Sequence, residues 1–188
     1  MIRKIYSYLS KRKLCKNIRK NKININFLCD LDLSYTNLSN IDIKGAKLTR
    51  CNLYKTIFKK TNLQGAMMND ANLSHANLSD TNLTYVNFSG ANLRGANLNN
   101  ANLYKANFNG ADLSYANLSN VKIDITTDFT NANLTHVIID LERIKVACID
   151  GAIIKEISLY NRLLYNLGYK KHYNKTKKIV PLYIVPNL

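Results

Sequence analysis

The 188-residue chain has no tryptophan, two prolines, and only twelve acidic residues against twenty-seven lysines and arginines. Both prolines, Pro181 and Pro186, lie near the carboxyl end, so no backbone amide donor is missing from the middle of the chain. No run of about eighteen apolar residues exists, and a membrane-spanning helix is therefore not expected. The amino terminus lacks an apolar stretch suited to a secretory signal, which points to a cytoplasmic protein. Cysteines 15, 29, 51 and 148 show no metal-type spacing, and reduced, inert thiols are the expectation. His75, His136 and His172 fall on separate segments without a paired nucleophile, and no glycine-rich phosphate loop appears. These absences argue against an enzyme and against a metal or other cofactor.

What the chain has is repetition, and repeats decide the architecture before any single element does. Residues 61 to 120 written in fives read TNLQG AMMND ANLSH ANLSD TNLTY VNFSG ANLRG ANLNN ANLYK ANFNG ADLSY ANLSN. Slot three is always large and apolar, slot one is Ala, Thr or Val, and slot two is nearly always Asn or Asp. A helix turns about 100° per residue, so leucines five apart would be spread around its whole circumference. In an extended chain, residues two apart point the same way. Slots one and three therefore point inward together, slot two points outward, and slots four and five must turn a corner. Slot five agrees: between residues 26 and 125 it holds Gly, Asn or Asp in eleven of twenty repeats, the residues that tolerate left-handed backbone angles. If each bend is near a right angle, four pentapeptides close one coil, and coils stack about 4.8 Å apart.

This stretch resembles the pentapeptide-repeat proteins, whose motif is A(D/N)LXX. The resemblance covers about residues 24 to 156. It implies an all-β solenoid, a right-handed quadrilateral β-helix of about six coils with slot three filling the core. Some members protect type II topoisomerases by imitating duplex DNA, so that activity is an alternative reading.

Three segments are expected: a basic stretch over 1–22, the solenoid over 23–156, and a helix with a tail over 157–188. In the first, Ile2, Ile5, Tyr6 and Leu9 make a stripe at helical spacing, with Leu14 and Ile18 off it, consistent with a helix capping the first coil. Beyond Ile123 the next slot three should be residue 128, but Phe129 arrives one residue late, followed by Leu134, Ile139, Ile144, Ile149 and Ile154. A one-residue bulge beside Ile125 would set Phe129 above Phe88 and Phe108. Glu142 falls in an inward slot, which predicts a distorted last coil. Ile157, Tyr160, Leu163, Leu164 and Leu167 form an amphipathic helical stripe ending at Gly168. The apolar tail 179–186 fits docking on the solenoid, a partner strand, or a homodimer contact.

The net charge of +15 resides in the ends. Residues 1–22 hold nine cations and no acid, and 155–188 hold seven cations and one acid, whereas 23–154 is neutral with eleven of each. A neutral rod is a poor imitation of a polyanion. The ends allow peripheral binding to acidic lipid or nucleic acid, with Lys11, Arg12, Lys13, Arg19 and Lys20 as candidate contacts. On the rod, the outward tyrosines Tyr35, Tyr54, Tyr85, Tyr104 and Tyr115 fall on two of the four corner columns. One column also carries Lys55, His75 and Arg94. Aromatic and arginine side chains are favoured interface anchors, so Tyr35, Tyr54, Lys55, His75, Arg94 and Tyr115 form a candidate site for an unknown protein partner. The expected function is a non-enzymatic protein-interaction scaffold.

Overall fold

One side of a coil is only three residues long, leaving room for a single pairing between its middle residue and the next coil. The computed structural model describes residues 10–140, 144 and 147–153. In it slot two of each pentapeptide forms an isolated parallel bridge twenty residues along the chain: Asp32 with Asn52, Asn52 with Asn72, Asn72 with Asn92. Two hydrogen bonds make each rung. Leu73 N–H donates to Asn92 C=O at 2.7 Å, and Asn92 N–H donates to Ala71 C=O at 2.9 Å. A twenty-residue period, with five residues to each side and its corner, gives a four-sided solenoid. We call its sides face A (the Leu33 column), face B (Leu38), face C (Ile43) and face D (Leu28), with corners AB, BC, CD and DA between them.

The alternation places the core as the spacing predicts. Slot three from Leu33 to Leu118 is buried, and so are the slot-one alanines between Ala46 and Ala116. Threonine enters slot one because its hydroxyl finds a carbonyl of the coil beneath. Thr56 Oγ1 donates to Leu33 C=O at 2.8 Å, Thr61 to Leu38 at 2.6 Å and Thr81 to Phe58 at 3.0 Å. A buried hydroxyl without that partner would be costly.

Slot two departs from a purely outward position. Where it is Asn in the middle coils it is mostly half-buried, because its Oδ1 folds back on the corner and accepts the slot-four amide, as Asn77 does from Ser79 at 3.0 Å. This side-chain turn closes the corner and explains why Asn and Asp alternate freely there. Asn adds a donor: Nδ2 of Asn72 reaches Asn52 at 3.3 Å, and that of Asn82 reaches Asn62 at 3.1 Å. Amide ladders thus form on faces A and C.

Most corners close with a bond from the next slot one to slot three, such as Ala76 N–H to Leu73 C=O at 2.9 Å. Every slot-five residue from Asp30 to Asn120 is left-handed, with φ between +53° and +71°, glycine or not. Ile125 cannot follow this rule, since a β-branched residue at positive φ is strongly disfavoured. The extra residue relieves the conflict. Corner CD there becomes Asp124–Ile125–Thr126, none at positive φ. Asp124 Oδ1 accepts Thr126 N–H at 2.9 Å, and Thr127 tucks inward with its hydroxyl 3.1 Å from Leu103 C=O. The register then slips by one, Asn107 pairing with Asp128 and Asp112 with Asn133, before returning to twenty at Asp128–Cys148. Phe88, Phe108 and Phe129 stack on face D with centroids 5.0 and 4.9 Å apart.

Helix α1 (Lys11–Arg19) lies against the first coil, its start capped by the Ser10 side chain accepting Lys13 N–H at 3.4 Å. Its buried residues are Leu14 and Ile18, not a continuation of the Ile2–Leu9 stripe, which lies outside the described residues. A short 3-10 turn, Ile25–Phe27, leads into face D. The inward Glu142, the 157–167 stripe and the 179–186 tail also lie outside the described residues.

Candidate interaction surface at corner AB

Slots four and five of successive coils stack into columns, so the chain fixes which side chains share an edge of the rod. Corner AB carries Ser34 and Tyr35, Tyr54 and Lys55, Ser74 and His75, Arg94 and Gly95, Ser114 and Tyr115, Thr135 and His136. Tyr35 and Tyr54 meet edge to face at 5.3 Å, and Tyr54 and His75 do so at 5.9 Å. The Lys55 ammonium lies 5.3 Å from the centre of the Tyr54 ring. Higher up, the Arg94 guanidinium sits 4.7 Å from the Tyr115 ring centre, and His136 stacks on Tyr115 at 4.6 Å. A Cβ on Gly95 would stand 2.8 Å from two atoms of the His75 ring, so glycine there makes room for the imidazole. The structure therefore sets Tyr35, Tyr54, Lys55, His75, Arg94 and Tyr115 in one ladder along this edge, with two groups of touching side chains: Tyr35, Tyr54, Lys55 and His75 below, and Arg94 with Tyr115 above.

His136 extends the ladder, and the sequence reading passed over it. Its place follows from the one-residue slip, which makes it slot five after Leu134. Tyr85 and Tyr104 stand apart, on corner CD, diagonally across the rod. There Lys105 donates to Tyr85 Oη at 3.0 Å with its ammonium 4.8 Å from the ring centre, and this bond raises the Lys105 pKa.

At the foot of corner AB, α1 is tied to the open edge of the first coil. Lys11 forms an ion pair with Asp32 at 2.7 Å and donates to Ser34 Oγ at 2.7 Å. Arg19 donates to the carbonyls of Asn37 at 2.9 Å and Ser39 at 3.1 Å. Partial burial pushes the Asp32 carboxyl upward, but hydrogen bonds from Lys11 and Ser34 outweigh it and hold the group below its ordinary range. Two of the five candidate polyanion contacts, Lys11 and Arg19, are thus engaged with the rod, while Arg12, Lys13 and Lys20 stay exposed. Between α1 and the first coil opens a cleft of about 670 Å³ lined by Lys11, Arg12, Lys16, Arg19, Tyr35 and neighbouring residues.

Among the described residues no group of three or more His, Cys, Asp or Glu is placed to hold a metal, and no helix is long and apolar enough to cross a membrane. All four cysteines are free thiols.

A four-sided rod closed by five-residue sides defines a class, and comparison with known proteins gives it a family. Residues 32–118 match the family model described as a pentapeptide repeat region, so that stretch carries the repeat of that family. Among solved structures it is similar to a pentapeptide repeat protein of the Arabidopsis thaliana thylakoid lumen, at 27% identity over 69% of this chain and 85% of that one, TM-score 0.43. It is also similar to HetL of the cyanobacterium Nostoc, involved in heterocyst differentiation regulation, at 23% identity over 81% and 95%, TM-score 0.29. A third is QnrB1, a plasmid-mediated fluoroquinolone resistance protein, at 22% identity over 78% and 92%, TM-score 0.38. No curated protein matches the chain.

Proposed function

We propose that this chain is a non-enzymatic protein-interaction scaffold, with the rod presenting corner AB to a partner. The observation that carries the reading is the ladder itself. Tyr35, Lys55, His75 and Tyr115 hold left-handed backbone angles that glycine would adopt at less cost, and they set large exposed side chains in one line. Aromatic and arginine residues clustered along one edge suit an interface core.

Protection of a topoisomerase by DNA mimicry fits the charges less well. Among the described residues no column carries carboxylates on two successive coils: on corner DA, Arg50 lies between Asp30 and Asp70 and pairs with Asp30 at 2.7 Å, and on corner BC, Lys60 precedes Asp80. A duplex presents about one negative charge per 1.7 Å of its axis. The exposed Arg12, Lys13, Lys16 and Lys20 support a second reading, salt-sensitive attachment of the basic end to acidic lipid or nucleic acid.

Photo-crosslinking tests the first reading. A photoreactive residue in place of Tyr54 or Tyr115 should crosslink a partner protein, and one in place of Tyr85 on the opposite corner should not. Equal yields at both corners would remove corner AB as the partner surface.

A further inference from the structure

We infer that corner AB and the cleft at its foot form one continuous seat for an extended acidic peptide segment, an inference that rests on corner AB being the partner surface. Continuity comes from Tyr35, which is both the first ring of the ladder and a wall of the cleft. Charge comes next. The seat gathers Arg12 and Lys16 from α1 with Lys55 and Arg94 from the rod, and among the described residues slots four and five of this corner contain no carboxylate. Lys11 and Arg19 are held by the first coil, and the nearby Asp32 is already paired with Lys11. Asp112 is turned to its own corner and the coil above, accepting from Ser114 N–H at 2.9 Å and Asn133 Nδ2 at 3.1 Å. Lys55 and Arg94 rest against tyrosine rings, and Arg94 also donates to Ser114 Oγ at 3.4 Å, but neither has a carboxylate beside it among the described residues of this corner.

The chemistry of the ladder selects among polyanions. Nucleobases bind such surfaces by stacking on open ring faces. Here Tyr115 is covered by Arg94 from the coil below and His136 from the coil above, and Tyr54 carries Lys55. A lipid surface calls for an aliphatic face to insert, and among the described residues slots four and five of corner AB contain no aliphatic side chain. What remains outward is ammonium and guanidinium groups with phenol edges, donors suited to carboxylates. Spacing fits as well. The backbones of Lys55 and Arg94 lie two coils apart, about 9.6 Å, so an extended chain, with like-facing residues roughly 9.3 Å apart in polyproline II form, can run along the column past both attachment points.

The test uses the full chain and a fluorescent peptide of repeated Glu-Pro-Pro, which places a carboxylate on one side at every third residue. Lys-Pro-Pro, oligothymidylate of equal length and phosphatidylserine vesicles are the comparison probes. The acidic peptide should bind best among the four, and its affinity should fall as salt is added. Arg94→Ala, and separately Arg12→Ala with Lys16→Ala, should each weaken it about tenfold, the scale of one charge-assisted contact. Lys60→Ala on corner BC should change nothing, and thermal melting should show all variants folded. Tighter binding of oligothymidylate or vesicles, or indifference of the acidic peptide to both sets of substitutions, overturns the inference. A partner crosslinked at Tyr54 but not displaced by the acidic peptide also overturns it while leaving the scaffold reading intact. Absence of crosslinks at both Tyr54 and Tyr115 removes both.

Discussion

Individual residues in this rod are valued by slot. Leu73 and Asn72 are neighbours in sequence, yet one fills the core and the other closes a corner. Leu73→Ala should cost about 2–5 kcal/mol, since the coils above and below hold the cavity open. Asn72→Ala should cost less, about 1 kcal/mol, through loss of its bonds to Ser74 and Asn52. Denaturant unfolding of the two variants checks the order. Glycines divide in a similar way. Gly65→Ala meets nothing within 4 Å and carries only the left-handed strain, about 1 kcal/mol, whereas Gly95→Ala also drives into the His75 ring and should cost more. Thiols follow burial. Cys51 donates to Leu28 C=O, and burial pushes its pKa up to about 12, while Cys148 is exposed. Alkylation of the native protein at neutral pH, followed by mass spectrometry, should label Cys148 first and Cys51 last.

At the scale of elements, α1 and the Asp124–Thr126 corner each answer a local difficulty. The first coil leaves carbonyls with no coil beneath them, and α1 supplies donors through Lys11 and Arg19. Lys11→Ala and Arg19→Ala should therefore speed hydrogen exchange at the start of the rod, whereas Arg12→Ala should not. This anchoring should also weaken in acid. The folded-state pKa of Asp32 is depressed, so its contribution is full above the ordinary carboxylate value of about 3.9 and is lost as pH falls through the depressed one. The pair is more than a third exposed, so the effect should appear as local loosening of α1 rather than global unfolding. The bulge makes a sharper case. Deleting Ile125 restores the five-residue period but puts Thr126, also β-branched, in the left-handed slot. The deletion should lower stability by about 1–2 kcal/mol, and Thr126→Gly in the deleted chain should restore it. Melting of the two variants decides whether backbone strain is the reason for the insertion.

For the whole molecule, charge and repeat are separated along the chain. A neutral rod gives anions no general attraction, so salt-sensitive affinity for DNA or acidic lipid should belong to residues 1–22 and 170–178. The structure refines which cations can be tested cleanly. Neutralising Arg12, Lys13 and Lys20 together should remove much of such binding with the melting temperature unchanged. Adding Lys11 and Arg19 to the set should also loosen the α1 end. Titration with duplex DNA and with anionic vesicles at low and high salt separates the two groups of residues.

The amino-acid order alone determined the coil, because a five-residue period with paired apolar slots has one compact solution: short sides, tight corners and an inward column. It also revealed the bulge, since a column of phenylalanines twenty residues apart can continue to Phe129 only if one residue is looped out. Tertiary structure decided what stacking does to the outward slots. Slot-two side chains that look solvent-facing in a strand are folded against their corners, where an unpaired amide needs an acceptor. Leu14 and Ile18 became the buried side of α1 because the rim of the first coil, rather than the helix's own periodicity, sets which face is covered. Lys11 and Arg19 look like any other cations in a basic stretch until the exposed carbonyls of that rim claim them. The slip that sets Phe129 over Phe108 also sets His136 over Tyr115, so its column was legible in the spacing, and what the tertiary structure added is that the two rings stack at 4.6 Å.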